Sequence, residues 1–463
     1  MHPGIRNALG VLRLETGDPE GAIAILKVLA KEAPRAGGVH LNWGNALVAA
    51  GRHVEAIPVL KRAVALEPAS PIVRYGLGRA LQFAGRPAEA IEEYRAVLNQ
   101  MPDHVDARAN LASALSFTDA FAEAEAEARQ ALARDPAHAN ARFNLAISLL
   151  SQGRWAEGWL AYESRFQTSL LARQRRWSSR PVWDGRSTLE GRTLLVQAEQ
   201  GFGDTIQFAR YLPLLRITGA TVILQCPDPL VPLLRAGTLA DAVHPFDVEP
   251  PPHDLQITLP SLPLALERHT HAQVMGDGAP YLTPPVPDGP WTLAPDDRLS
   301  VGLVWAGSPT HINDRHRSCG VTALTPLRSL DGVRWISLQE GPAGAEAESF
   351  GEVGIVRLGE RMPDFCATAA VIGQLDLVIA IDSAVAHLAG ALGTPCFLLL
   401  PRIGLDWRWA AERPDAVWYR SVRAFRQESP GSWEAPVSAI SEAVVRMRAV
   451  RQSGAPNERP ITG

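Results

Sequence analysis

A helical solenoid followed by an α/β region in two lobes is the fold class that the sequence predicts, and three observations carry it. A 34-residue period runs through the first third of the chain. From Thr193 onward, short apolar runs alternate with helical patterns, as parallel sheets with crossover helices require. A Pro/Gly/Asp-rich stretch over 279–297 then interrupts that alternation and divides it in two. At 463 residues the chain is too long for one ordinary core, so several domains are expected.

The period shows in several registers at once. Pro34, Pro68, Pro102 and Pro136 share it, as do Gly17, Gly51, Gly85 and Gly153, with Asp119 at the missing step. Ala22, Ala56, Ala90 and Ala124 form another register, with Gly158 in fifth place. Leu9, Trp43, Leu77, Leu111 and Leu145 form a large apolar one. Small residues let paired helices approach closely. The glycines suit the turn between the two helices, where positive φ is needed. The prolines end the second helix of each pair. In period and in these positions the stretch resembles the tetratricopeptide repeat, over residues 4–168 and about four and a half repeats. Such an array implies a concave face for peptides or partner proteins, or a plain scaffold. Asn42, Asn110 and Asn144, with Asn45 nearby, either hydrogen-bond an extended peptide backbone or are solvated polar positions. The first repeat has no polar cap, so either it dimerises or the array is a trimmed version of a longer one.

Composition narrows the function classes. Hydrophobic residues make up 46% and charged residues 20%, which are globular proportions. A net charge of -4 and a pI near 6.3 argue against a general nucleic-acid binder. Cys226, Cys319, Cys366 and Cys396 are scattered, with no C-x-x-C spacing for zinc or a disulfide framework, which fits a reducing compartment. No apolar run approaches the roughly 20 residues that span a bilayer. No basic segment followed by an apolar one opens the chain, so a cytoplasmic location is expected.

In the α/β region, strands are predicted at 193–198, 221–226, 242–246 and 255–259, then at 300–305, 333–338, 377–381 and 396–400. Helices are predicted at 204–216, 229–236, 363–372, 383–392 and 436–450. The partition is a solenoid over 1–168, a linker over 169–192, a first lobe over 193–290 and a second lobe over 298–433. A closing helix over 434–450 and a polar, disordered tail over 451–463 follow. The linker carries a basic run, Arg173–Trp177, and Trp183, whose rings pack it.

Ligands of open α/β sheets bind beyond the carboxyl ends of strands, so three loops stand out. Gln200-Gly201-Phe202-Gly203-Asp204 follows the first strand. Its glycines allow a tight turn and close approach of a ligand, and Asp204 is either functional or a helix cap. A dinucleotide fingerprint fails there, because Ile206 replaces the third glycine and Gln225-Cys226 end the second strand without an acid. The second loop, 306–318, carries Arg315 and Arg317, whose guanidinium groups could clamp a diphosphate. The third begins at Asp382, where a buried strand ends and a helix starts. The free amides at Ser383, Ala384 and Val385 make an anion site, to which Ser383 adds a hydroxyl. His387 lies one turn on, either reaching a phosphate or ribose or packing.

The GFGD loop and the segment Asp382–Pro395, DSAVAHLAGALGTP, resemble those of the bacterial heptosyltransferases, glycosyltransferase family 9. Their motif reads D-[ST]-G-x-x-H-[LI]-A-x-A-[LF]-G-x-P, and Ala384 stands here where glycine is usual. Repeats followed by two lobes resemble the O-linked N-acetylglucosamine transferases. Together with Asp406-Trp407-Arg408-Trp409, the chain is most similar to bacterial tetratricopeptide-repeat glycosyltransferases. The resemblance implies a TPR α-solenoid followed by a GT-B fold of two Rossmann-like lobes, acceptor on the first and nucleotide-sugar on the second. It implies Asp204 as the base, and the amides of Ser383–Val385 with Arg315 or Arg317 as stabilisers of the leaving diphosphate. Gln339 would contact the base or ribose, and Trp407 would do the same or pack. The expected reaction inverts the sugar carbon and needs no metal or other cofactor, since no D-x-D is present. The partners implied are a nucleotide-sugar, a protein or glycan hydroxyl and a peptide on the repeats. The alternative is a non-catalytic scaffold with a degenerate nucleotide-binding domain.

Overall fold

The computed structural model describes residues 2–168, 178–199, 201–276, 278–287, 289–311, 313–351, 355–409 and 418–453. Arg173–Trp177, Gln200, Ile312 and the tail beyond 453 lie outside the described residues. The chain forms two compact units, Met1–Gln152 and Gly153–Gly463.

In the first unit, the 34-residue period becomes antiparallel helix pairs. These are Pro3–Glu15 with Pro19–Glu32, Gly37–Ala49 with His53–Leu66, Pro71–Phe83 with Pro87–Gln100, and Val105–Ser116 with Phe121–Arg134. The helix Ala139–Ser151 follows. The turn glycines have φ of +81°, +74°, +73° and +73° at Gly17, Gly51, Gly85 and Gly153, and Asp119 holds the same left-handed turn at +61°. Ala22, Ala56, Ala90 and Ala124 are all completely buried. A further small-residue register, Gly10, Gly44 and Gly78, was not read from the sequence. A Cβ there would come within 2.6 Å of Leu26, 2.4 Å of Leu60 and 2.7 Å of Tyr94 respectively.

The asparagines expected to meet a peptide each donate one hydrogen bond between repeats. Asn42 donates to Asn7 Oδ1 (3.1 Å), Asn110 to the Tyr75 hydroxyl (3.1 Å) and Asn144 to the Ala109 carbonyl (2.8 Å), each in the preceding first helix. Their spacing reflects the stacking of the array.

The second unit contains two wholly parallel sheets. The first comprises β1 (Thr193–Gln197), β2 (Thr221–Cys226), β3 (Ala242–Pro245) and β4 (Leu255–Thr258), ordered β3-β2-β1-β4. The second comprises β5 (Leu299–Val304), β6 (Val333–Ser337), β7 (Val356–Arg357), β8 (Leu377–Ile381), β9 (Cys396–Leu400) and β10 (Val422–Arg426). Its order is β10-β9-β8-β5-β6-β7. Counted within the lobe, that is 3-2-1-4-5-6, the doubly wound order whose direction reverses between β5 and β8. In the first sheet, strand order reverses between β1 and β4.

Several boundaries differ from expectation. The boundary between the two compact units falls at Gln152, so helix Trp155–Tyr162, inside the stretch expected to be repeats, is counted with the second unit. The helix expected over 204–216 is two, Phe202–Ala209 and Leu212–Ile217, because Pro213 suits a new first turn. β7 and β10 carry too little apolar pattern to have been read. The closing helix spans Glu434–Ser453, so residues 451–453 continue it rather than beginning a tail. In the linker, Val182 bridges to Gln256 and the buried Trp183 donates from Nε1 to the Ser187 carbonyl, fastening it beside β4.

Gly44→Ala should destabilise the first unit by about 1–3 kcal/mol, since Leu60 has nowhere to move in a filled interior. Denaturant unfolding checks this, and an unchanged midpoint would refute the packing account.

Candidate functional site

All three loops singled out in the sequence follow strands at the two reversal points. The turn 198–204 follows β1, 305–318 follows β5 and 382–387 follows β8. Short helices then carry the side chains. Gly201 is the N-cap of Phe202–Ala209, and the Asp204 carboxylate accepts from the Gly201 amide (2.9 Å). Asp204 is therefore the third residue of the helix, not its cap residue. Neither loop glycine adopts positive φ. Gly203 is needed for packing: a Cβ there would lie 2.8 Å from His387 Cδ2, on the helix Ala384–Leu392 of the other lobe. The glycine read as room for a ligand is room for the opposite lobe.

The centre of the site is Arg408, buried to 6% exposure. It pairs with the Asp204 carboxylate of the first lobe and with Asp406 beside it, at 2.9 and 3.1 Å. Its Nε donates to Gln207 of the first lobe. Its Cζ lies 4.3 Å from the centroid of the Trp407 ring. Burial works against its charge, but the carboxylates of Asp406 and Asp204 outweigh burial and leave its pKa above the ordinary value. Burial raises the pKa of Asp204, with Asp406 adding and Arg408 and the Gly201 amide opposing. A fifth of the Asp204 side chain, 20%, stays open.

Asp382 ends β8. It accepts from Trp409 Nε1 (2.8 Å), and its carbonyl accepts from Arg317 Nη1 (3.1 Å). Burial and Asp406 push its carboxyl up to about 6, against Trp409, Arg317 and Arg408. Arg317 also donates to Asp314 (3.2 Å) in the single turn Asp314–Arg317, so the expected clamp is anchored to the switch point. Arg315 is exposed on that turn. Ser383 caps Ala384–Leu392 without a side-chain cap bond, and its Oγ is a buried hydroxyl with no partner. The first amides of that helix, from Ala384 and Val385, adjoin this hydroxyl.

His387 is buried. Its Nδ1 meets the Tyr419 hydroxyl (2.9 Å) and its ring lies 5.2 Å from Trp409. Burial, then Arg408 and Arg210, lower its pKa well below the usual value, so the ring is neutral. It is built into the lobe contact, which favours the packing alternative. Gln339 is likewise engaged. Its Oε1 accepts from the Trp305 and Ala306 amides (3.0 and 2.9 Å), and its Nε2 donates to the Ala306 and Glu340 carbonyls (both 3.1 Å). With both ends of the amide occupied, Gln339 braces the loop after β5 instead of offering itself to a nucleotide. Trp407 packs, with Trp155, Trp159, Tyr162 and Trp418 at ring distances of 5.4–6.5 Å.

Two features escaped the sequence reading. Asn313 Nδ2 donates to the Gly404 carbonyl (2.5 Å), where φ is +69° and a Cβ would strike that amide. Behind β1, the fully buried Arg165 pairs with Glu163 and Glu199 (both 2.7 Å) and donates to Ser261 (2.7 Å) and Thr258 (3.1 Å). An arginine amid Trp155, Trp159 and Tyr162 was the available signal. Among the described residues, no group of three or more His, Cys, Asp or Glu side chains is arranged to hold a metal ion, and no helix is long and apolar enough to cross a membrane.

Family models for the tetratricopeptide repeat match residues 7–71, 47–109, 84–128 and 117–168. That part of the chain is a repeat array, a form suited to binding proteins or peptides. The chain is 29% identical over 337 residues to Protein FlbA of Caulobacter vibrioides, covering 64% of this chain and 53% of that protein. The chain thus spans about half the length of the curated relative it matches. Among solved structures, MamA 41-end from Desulfovibrio magneticus RS-1 is 19% identical, with a TM-score of 0.32, over 38% of this chain and 97% of that one. YrrB, described as a TPR protein with an unusual peptide-binding site, is 17% identical, with a TM-score of 0.31, over 35% of this chain and 84% of that one.

Asp382→Asn should stabilise the protein at pH 8, by on the order of 1–3 kcal/mol, because ionising this buried carboxyl opposes folding. Its folded pKa lies above the unfolded one, so the wild type recovers stability as pH falls from about 6 towards 4, and the advantage of the variant fades over that window. Thermal unfolding against pH checks this; a pH-independent difference would contradict it.

Proposed function

We propose that the second unit is a glycosyltransferase of the GT-B kind, moving a sugar from a nucleotide-sugar to a hydroxyl of a protein or glycan. The observation that carries the reading is the gathering of three post-strand loops at the reversal points of two parallel sheets, around Asp204, Arg408, Asp382, Arg317 and the orphaned Ser383 hydroxyl. A helix N-terminus with a buried, unpartnered hydroxyl beside it suits a diphosphate.

On this reading the acceptor oxygen attacks the anomeric carbon while the bond from that carbon to the diphosphate breaks. Asp204 takes the hydroxyl proton, and its raised pKa and open edge suit it to do so. The departing electron pair goes to a diphosphate oxygen, met by the amides of Ser383–Val385, the Ser383 hydroxyl and Arg317. Arg408 orients Asp204, and Gln339 holds the β5 loop in place. The sugar carbon is inverted in this single displacement. The repeats then serve as the arm that engages a protein acceptor or a separate partner. That arm also favours a second reading, a protein-binding scaffold whose α/β part binds a nucleotide without turnover.

Asp204→Asn should cut hydrolysis of a nucleotide-sugar by roughly 100-fold or more while nucleoside diphosphate affinity holds. Arg317→Gln should weaken that affinity about ten-fold or more. A nucleotide-sugar panel read by released diphosphate, with thermal shifts against UDP, GDP, ADP and CMP, tests both. Nucleotide stabilisation without turnover of any donor would favour the second reading, and neither effect would sink both.

A further inference from the structure

The buried cluster behind β1 joins the carboxyl ends of two strands. Arg165, completely buried, donates through Nε and Nη2 to the two oxygens of Glu199 (2.9 and 2.7 Å), the paired geometry that fixes a carboxylate most firmly. Nη2 also reaches Thr258 (3.1 Å), at the end of β4, and Ser261 (2.7 Å) beyond it. Nη1 donates to Glu163 (2.7 Å) and to the Tyr162 carbonyl (3.1 Å). Each guanidinium nitrogen is thus engaged. Glu199 follows β1 closely and stands just before Gly201. The side chain that spans the reversal point of the first sheet therefore also holds the start of the loop carrying Asp204.

That loop needs an anchor. Gly201 and Gly203 bring no side chains to fix it. Asp204 is tied to the Gly201 amide within its own lobe and to Arg408 across the junction. Glu199 is buried, at 4% side-chain exposure, and apolar groups of similar volume would staple the two strands at lower cost. What apolar groups would not supply is charge. One guanidinium faces two carboxylates here, Glu163 and Glu199, so the cluster keeps a negative charge. Glu199 raises the pKa of Asp204, alongside burial and Asp406 and against Arg408 and the Gly201 amide. Arg408 and Asp406 act from the second lobe, and the neutral His387 faces Gly203 beside it.

We propose that Glu199, held by Arg165, is a positioning residue for the transfer: it fixes the loop that sets Asp204 against the acceptor hydroxyl, and its charge strengthens Asp204 as a proton acceptor. The part played by Asp204 rests on the glycosyltransferase reading. The coupling of Glu199 to Asp204 does not.

Carboxyl resonances of the full chain, isotopically labelled at its aspartates, give the titration of Asp204, whose signal is the one lost in Asp204→Asn. Glu199→Gln should lower its midpoint by roughly half a pH unit or more, since a like charge no longer opposes ionisation. The same variant should move the acid limb of nucleotide-sugar hydrolysis to lower pH by a similar amount, with the donor KM unchanged. Arg165→Lys keeps the charge and loses the paired geometry. It should speed hydrogen exchange at the amides of 201–205 and lower kcat about ten-fold or more. An Asp204 midpoint unmoved by Glu199→Gln overturns the proposal, even where Arg165→Lys does not fold. If no nucleotide-sugar is turned over, the glycosyltransferase reading fails, and the titration still decides for or against the coupling.

Discussion

The buried guanidinium of Arg408 holds carboxylates from both lobes at once, and the arrangement of the candidate site follows from it. A charge this deep costs several kcal/mol of desolvation unless hydrogen-bonded counter-charges surround it. Asp406 supplies one from the same segment and Asp204 the other from the opposite lobe, where the neutral Gln207 amide also accepts a hydrogen bond from it. The ion pair therefore forms fully only when helix Phe202–Ala209 meets helix Ala384–Leu392. Gly203 is the steric condition for that meeting, since a side chain there would strike His387. A charge requirement and a shape requirement fix the same contact, and both place Asp204 beside the switch point of the second sheet.

Further buried groups carry the same junction. Arg210, from the first lobe, donates to the Trp418 carbonyl (2.9 Å) and lies 4.7 Å from the Tyr419 ring. The Tyr281 hydroxyl donates to the Ile206 carbonyl (2.8 Å). The tryptophans of Trp155–Tyr162 pack on Trp407 and Trp418, so a helix that occupies the fifth repeat's place in the sequence period is built into the α/β unit. Arg165, just after it, reaches Glu199 at the mouth of β1. Most polar atoms near the site are satisfied by the protein. The Ser383 hydroxyl, on the turn after β8, is not, and neither are Gln207 Nε2, Asn313 Oδ1 and Trp305 Nε1.

Much of the fold was legible because its signals are local. Left-handed turns demanded glycine at Gly17, Gly51, Gly85 and Gly153, and fully buried strands such as Leu377–Ile381 and Cys396–Leu400 left continuous apolar runs. Short edge strands did not: Val356–Arg357 is two residues long, and in Val422–Arg426, VRAFR, two arginines break the apolar run. For the site, the loops were legible because ligand loops follow strands, but the division of labour within them was not. Gln339, His387 and Trp407 have the chemistry of ligand contacts, and only their three-dimensional partners show them engaged in support. Arg408 went unread because its partners lie about 200 residues away in sequence, at Asp204 and Gln207. The inter-repeat bonds of the asparagines went unread for the same reason, their partners being one repeat back.

The central claim is that the turn after β8 receives the diphosphate of an activated sugar. Hydrogen exchange of the full chain, with and without a saturating nucleoside diphosphate from the UDP, GDP, ADP series, addresses it most directly. The account predicts slowed exchange at the amides of residues 383–387 and in the loop 306–318, with the helix pairs of the first unit unchanged. Binding that leaves both segments exchanging at their free rate, or protects only the repeats, would contradict it.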